Sequence, residues 1–228
     1  MPSLYVHVPF CQKKCNYCAF FSEPYARTGL VEAYLEGIKR EIQLCLKEAP
    51  AGVSSLFLGG GTPTVLSADE LECLMNKIKL FPFASENGTE KTVEANPGTL
   101  TSDKIKVLVH YGINRISLGA QSFDNRLLSS IGRIHTAQDI YRSVGLIREG
   151  GINNLNIDLI FGLPGQTFEQ WKETLGKTIE IKPEHLSLYA LTVEEGTPLA
   201  DSIASYSSLQ PVCSERSDTI PAMLPADD

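Results

Sequence analysis

The sequence predicts an α/β protein: an open, partial (β/α)6 barrel of the TIM type, ending in an irregular C-terminal tail. Three observations lead there. Short β-like runs alternate with amphipathic helical stretches six times over, the pattern of parallel strands joined by right-handed crossovers. Several helix starts carry capping boxes, and Pro82 and Pro183 follow helix ends. Within the strands, apolar side chains occupy one alternate set of positions and polar ones the other, so each strand has two chemically distinct faces. Six units are too few to close an eight-stranded barrel, which is why the expected sheet is open.

The first strand, residues 4–8, sets Leu4, Val6 and Val8 toward the helices and Tyr5 and His7 inward. It leads into Cys11-Gln12-Lys13-Lys14-Cys15-Asn16-Tyr17-Cys18, three thiols in eight residues. Chemistry in such folds sits at the carboxyl ends of the strands, and this loop follows a strand at that end. Thiolates select zinc or iron and sulfur. A four-iron cluster normally takes four cysteines, so three would leave one iron open to an outside ligand. His7 could instead complete a Cys3His zinc site, and the spacing leaves both metals open. A disulfide does not suit three clustered thiols in a chain with no mark of secretion.

A helix over 30–47 follows, with Val31, Tyr34, Leu35, Ile38, Ile42 and Leu46 on one face. The second strand, 54–58, runs into Gly59-Gly60-Gly61-Thr62-Pro63-Thr64, where the glycines are expected to let the backbone approach a ligand with no Cβ in the way. Ser67 with Glu70 caps the next helix. The third strand, 92–96, places Thr92, Glu94 and Asn96 opposite Val93 and Ala95, and the fourth, 115–119, places Arg115, Ser117, Gly119 and, just beyond it, Gln121 opposite Ile116, Leu118 and Ala120. Thr136 with Asp139, and Thr167 with Gln170, open the following helices. Around the fifth strand, 155–161, Asn154, Asn156 and Asp158 alternate with Leu155, Ile157 and Leu159; in the sixth, 185–191, His185, Ser187 and Tyr189 alternate with Leu186 and Leu188.

The inward set is therefore polar, where barrel interiors ordinarily hold branched apolar residues. Unpaired polar groups in an interior cost roughly 1–3 kcal/mol each. Either a polar ligand across the strand ends satisfies them, or Glu94, Arg115 and Asp158 form a self-satisfied network with buried water.

Composition narrows the partners. The 228 residues include 20 basic and 27 acidic, a formal charge of -7. With no basic tract, nucleic acid is excluded as an expected partner. No apolar run reaches membrane-spanning length and no signal-like leader opens the chain, so the expected compartment is the cytoplasm. Cys45, Cys73 and Cys213 stand singly, the first two in helical stretches where a free cysteine is expected to be a small buried hydrophobe. Residues 1–200 read as one core domain, and 201–228, rich in Ser, Pro and acid with no apolar period, as a low-complexity, disordered tail.

The C-x3-C-x2-C loop, with Tyr17 directly before its last cysteine, resembles the cluster loop of the radical S-adenosylmethionine (SAM) superfamily. The glycine-rich run, Glu94-Ala95-Asn96-Pro97-Gly98, Gly119-Ala120-Gln121-Ser122-Phe123, Gly132-Arg133-Ile134-His135 and Asp158-Leu159-Ile160-Phe161-Gly162-Leu163-Pro164-Gly165 follow in one order. Together they are similar to the branch containing oxygen-independent coproporphyrinogen III dehydrogenases and HemW-type heme chaperones, from residue 4 to about 200. The resemblance implies a [4Fe-4S] cluster on Cys11, Cys15 and Cys18, whose unique iron binds the amino and carboxylate groups of SAM; once reduced, it cleaves SAM to a deoxyadenosyl radical. It matches Tyr5, Tyr17, Gly60 and Glu94 to residues that hold a first SAM, and Gly61, Thr62, Gln121, Arg133, Asp158 and Ala190 to a second SAM or substrate shell.

Each assignment has a plainer alternative in the residues themselves. Tyr5 and Tyr17 could be packing aromatics, Arg133 a solvated helix-end charge and Gln121 a loop residue, while His135 reads as a surface or supporting residue. Two departures from the family pattern matter. Ala19 and Phe20 stand where the dehydrogenases carry a further cysteine, which favours the chaperone type. The family's C-terminal domain, with its His-Asn and Tyr-Trp heme motif, is not matched, so the resemblance implies a C-terminally truncated form. The implied function is a heme chaperone that binds heme and passes it to an acceptor protein. Its rivals are oxidative decarboxylation of coproporphyrinogen III, which would make the chain an enzyme acting on a porphyrin precursor, and a zinc-stabilised binding module without redox chemistry.

Overall fold

Six parallel strands, each lying beside the one before it in the main sheet, build the fold. The structure, a computed structural model, describes residues 2–27, 29–47, 52–83 and 88–209. The elements run β1 (Leu4–Val8), β2 (Phe10–Cys11), β3 (Glu23–Pro24), α1 (Leu30–Cys45), β4 (Ser55–Gly60), α2 (Ala68–Ile78), β5 (Glu90–Ala95), α3 (Ser102–His110), β6 (Arg115–Gln121), α4 (Asn125–Ser130), α5 (Ala137–Glu149), β7 (Asn154–Phe161), α6 (Phe168–Ile181), β8 (His185–Ala190) and α7 (Pro198–Leu209). The main sheet has the order β1-β4-β5-β6-β7-β8, and every pair in it is parallel. Among the described residues β1 and β8 are its two edges, so the barrel is open as expected.

The outward strand faces make the core. Val6, Val8, Leu58, Val93, Ile116, Leu118, Leu155, Ile157 and Leu159 pack in one cluster with Val31 and Leu35 of α1, Leu71 and Leu74 of α2, Ile105 and Leu108 of α3, and Ile140 and Ile147 of α5. Burying each large apolar side chain contributes about 1.5–3 kcal/mol, and the inward face makes no such contribution. The expected α1 stripe holds: Val31, Leu35 and Ile42 are buried, and Tyr34, Ile38 and Leu46 lie against the core.

Caps fix where the helices begin. All three capping boxes form, at Ser67 with Glu70, Thr136 with Asp139, and Thr167 with Gln170. Lys182 closes α6 in the left-handed region with φ 53; Pro183 after it disfavours a right-handed helical residue at that position.

Three expectations change. The helix α7 runs through the boundary expected at residue 200, so residues 201–209 are helical; the rest of the expected tail, 210–228, lies outside the described residues, as does Cys213. Cys45 is exposed and Cys73 half-buried, accepting from Lys77 Nζ at 3.1 Å, so neither is the buried hydrophobe expected. The six-residue α4 was not anticipated, since it is too short for a helical period; Asp124 caps it by accepting from the Arg126 and Leu127 amides.

Candidate functional site

The cysteine loop is pinched at its base. β2 pairs with β3, with Glu23 N donating to Pro9 O at 2.7 Å and Tyr25 N to Cys11 O at 2.9 Å. Asn16 then ties the loop to the far side of the barrel. Its amide donates to Ile131 O at 3.0 Å, and its carbonyl accepts from Leu199 N at 3.0 Å. Gly132 makes this approach possible: it holds φ 78, and a Cβ there would lie 2.6 Å from Asn16 Oδ1.

Arg133 follows, pointing back at the loop. Its Nε donates to His135 Nδ1 at 3.3 Å, Nη1 to Cys15 Sγ at 3.6 Å, and Nη2 to Asn96 Oδ1 at 2.7 Å and to the Gly119 carbonyl. The solvated helix-end charge is thus not what Arg133 is. His135 is buried rather than on the surface; burial first, then the Arg133 charge, lowers its pKa to about 4. It is a neutral imidazole whose Nδ1 accepts from Arg133, leaving Nε2–H to donate to Ala120 O at 3.1 Å.

The second side of the loop meets Thr62. Asn96 Nδ2 donates to Thr62 Oγ1 at 2.8 Å, and Thr62 Oγ1 stands 3.6 Å from Cys11 Sγ. Cys18 N closes a turn onto Cys15 O at 3.2 Å, and burial pushes the Cys18 thiol pKa up. Tyr17 packs on a small cluster of Leu127, Ile131, Ile160 and Leu163, where burial raises its pKa well above the ordinary range. Tyr5 is 56% exposed, stacked on Phe57, with its hydroxyl 3.1 Å from His7 Nδ1.

The glycine run serves the fold itself. Gly60 holds φ 111, and a Cβ on it would lie 2.6 Å from the His7 ring; a Cβ on Gly61 would lie 2.6 Å from Phe10 O, and one on Gly59 2.8 Å from Glu94 Oε2. Protein atoms already occupy the Cβ directions of all three, so glycine is required there for packing. What the run does give the interior is an amide: Gly60 N donates to Glu94 Oε2 at 3.1 Å.

Glu94 and Asp158 share the interior; Arg115 makes its direct ion pair, a 4.0 Å contact, with Glu90 and acts on Asp158 through its charge. Asp158 is held by Ser117 Oγ at 2.9 Å and Asn156 Nδ2 at 2.7 Å, and burial raises its pKa. Glu94 has the Gly60 amide. Burial first, with Asp158 adding to it, raises its pKa to about 7. Gln121 ends β6 at a register shift, with φ 64 in the left-handed region and with its Oε1 buried and unpartnered among the described residues. Strain of this kind costs about 1–3 kcal/mol and gathers at ligand sites. Ala190 lies exposed at the end of β8.

The donor set fits an iron–sulfur cluster with a polar cofactor beside it. Three thiols come from one loop, and O–H and N–H donors stand against two of them. A near-neutral buried carboxylate and an orphaned acceptor provide polar contacts for a cationic, hydrogen-bonding ligand. A closed Cys3His zinc site fits less well, since His7 contacts Tyr5 OH through Nδ1 and Phe21 O through Nε2 at 3.1 Å. Among the described residues no three His, Cys, Asp or Glu groups are gathered as a single ion requires, whereas cluster ligands spread over several irons. Sequence reasoning missed Asn16 and the tie it makes across the barrel. Its signal was the pairing of a small polar residue between cysteines with a glycine more than a hundred residues away.

An open parallel barrel with a three-thiol loop over the carboxyl ends of its strands defines a class of cluster-bearing, cofactor-binding α/β proteins. The comparisons narrow it. The family model described as the Radical SAM superfamily matches residues 5–177. Among curated proteins, the heme chaperone HemW of Lactococcus lactis is 44% identical over 86% of this chain and 50% of its own length, and that of Bacillus subtilis 39% identical over 86% and 52%. Among solved structures, coproporphyrinogen III oxidase (HemN) from Escherichia coli, a radical SAM enzyme, aligns with TM-score 0.75 and 29% identity over 91% of this chain and 52% of that one. The chain belongs to the radical SAM superfamily, and membership implies a [4Fe-4S] cluster and SAM. It spans about half the length of the curated relatives it matches.

Proposed function

We propose that this chain is the radical SAM core of a HemW-type heme chaperone, in which Cys11, Cys15 and Cys18 hold the cluster. The observation that supports the reading best is the loop itself: three thiols at the carboxyl mouth of the barrel, held by β2–β3 and Asn16. When bound and reduced, the cluster supplies an electron to SAM. The chain's own residues would do the rest. Glu94 and Gln121 would receive the cofactor's cationic and hydrogen-bond-donating groups, Tyr5 would flank it, and Asp158 would line the deeper interior. The 39–44% identity to heme chaperones and Ala19-Phe20 in place of a further cysteine favour transfer of heme to an acceptor protein in the cytoplasm. No described helix is long and apolar enough to cross a membrane. The likeness to coproporphyrinogen III oxidase favours a second reading, a porphyrin-precursor oxidase with the same cluster.

Anaerobic reconstitution tests the cluster. Cys11→Ala, Cys15→Ala and Cys18→Ala should each lose the four-iron absorption and most bound iron, because two thiolates cannot hold three irons; Cys45→Ala and Cys73→Ala should keep it. Equal iron loss in both sets would sink the ligand assignment. Heme titration and SAM-dependent turnover of coproporphyrinogen III, on one sample, then separate the two readings.

A further inference from the structure

We propose that Arg133 sets the electron affinity of the cluster through a directional hydrogen-bond chain ending on two of the three ligand sulfurs. The inference rests on the assignment of Cys11 and Cys15 as ligands. The chain's polarity can be read donor by donor. Arg133 has no acceptor, so Asn96 Oδ1 accepts from its Nη2, at 2.7 Å. That fixes the Asn96 amide, whose Nδ2 must then donate to Thr62 Oγ1, at 2.8 Å. With Asn96 donating to it, the Thr62 hydroxyl is free to donate to Cys11 Sγ, at 3.6 Å. The second branch is direct, Arg133 Nη1 to Cys15 Sγ at 3.6 Å.

Both branches bring positive charge density toward sulfur, and none of the ion pairs among the described residues includes Arg133. Its guanidinium is held by neutral groups: the His135 imidazole, the Asn96 amide and the Gly119 carbonyl. The neutral state of His135 matters, because a protonated ring could not accept from Arg133 Nε. A cluster on three thiolates is net negative and gains one more negative charge on reduction. A nearby cation and N–H···S bonds therefore favour the reduced form. Arg133 acts here as a positioning and tuning residue.

Redox titration of the reconstituted chain, followed by electron paramagnetic resonance of the reduced cluster, tests this without any turnover. Arg133→Gln should shift the midpoint potential to more negative values at unchanged iron content. Arg133→Lys, which keeps the charge but loses the fork that reaches Asn96 and Cys15 together, should shift it part of the way. Thr62→Val, which removes only the Cys11 branch, should give a smaller negative shift that Thr62→Ser restores. Midpoints equal to the starting protein in Arg133→Gln and Thr62→Val, with iron retained, would overturn the proposal. If Arg133→Gln lost the cluster, the Thr62 pair alone would decide. Failure of the unaltered chain to take up four irons would instead strike the ligand assignment.

Discussion

Glu94 is the residue whose behaviour the interior most constrains. Its pKa of about 7, against an ordinary 4.5, comes from burial with Asp158 nearby, so at neutral pH it is half protonated. Between those two values the folded chain holds a proton that the unfolded chain has lost. Stability should therefore fall as pH rises through this window, by about 3 kcal/mol at most. His135, neutral in the fold down to about 4, gives the opposite slope below its ordinary 6.5, since there the unfolded chain binds the extra proton. The difference in denaturation midpoint between the starting chain and Glu94→Gln isolates the Glu94 part: it should grow in favour of the Gln variant from pH 5 to pH 8, and a pH-independent difference would count against a raised Glu94. A cationic cofactor favours the carboxylate, so SAM should bind more weakly below pH 7 than above it. Glu94→Gln should flatten that dependence, as calorimetric titration across pH would show. The inward placement of Glu94 was legible from strand alternation alone. Arg133 and His135 were not, because they lie in a loop with no period to orient a side chain; their roles come from Asn96, Gly119 and Ala120, which the fold brings to them.

At the scale of elements, the helix starts were written locally and could be read locally. Ser67, Thr136 and Thr167 each satisfy amides within three residues, so no distant information was needed. Glycines are harder, because the same left-handed φ arises for two reasons. Gly165, at φ 72, would place a Cβ in open space, whereas Gly132, at φ 78, would drive one against Asn16. Gly165→Ala should therefore cost only backbone strain, about 1–2 kcal/mol, and leave the cysteine loop intact. Gly132→Ala should cost more and also loosen the loop, seen as faster iron loss to a chelator from the reconstituted protein. Equal iron loss in the two variants would show that the Asn16 tie does not hold the loop. The Gly59-Gly60-Gly61 run is alike: the contacts that demand glycine there are His7, Phe10 and Glu94, residues separated from it in sequence.

For the whole molecule, the strand order was legible because a barrel-type βα repeat adds each new parallel strand on the same side as the last, and the observed order β1-β4-β5-β6-β7-β8 has that form. How unevenly the sheet is protected was not legible, since it depends on which strands end as edges. β6 lies between β5 and β7 with every residue from Ile116 to Gln121 buried. β8 pairs only with β7 among the described residues, and His185, Leu188, Tyr189 and Ala190 are exposed. Opening β8 breaks one ladder and uncovers little apolar surface, whereas opening β6 breaks two ladders and the centre of the core. Native-state amide exchange should therefore rank the strands. Amides of β6 should exchange only through global unfolding, with a denaturant dependence equal to that of the whole chain, and those of β8 through local opening nearly independent of denaturant. Equal protection of β8 and β6 would mean that the open edge is held by contacts beyond those the sheet provides.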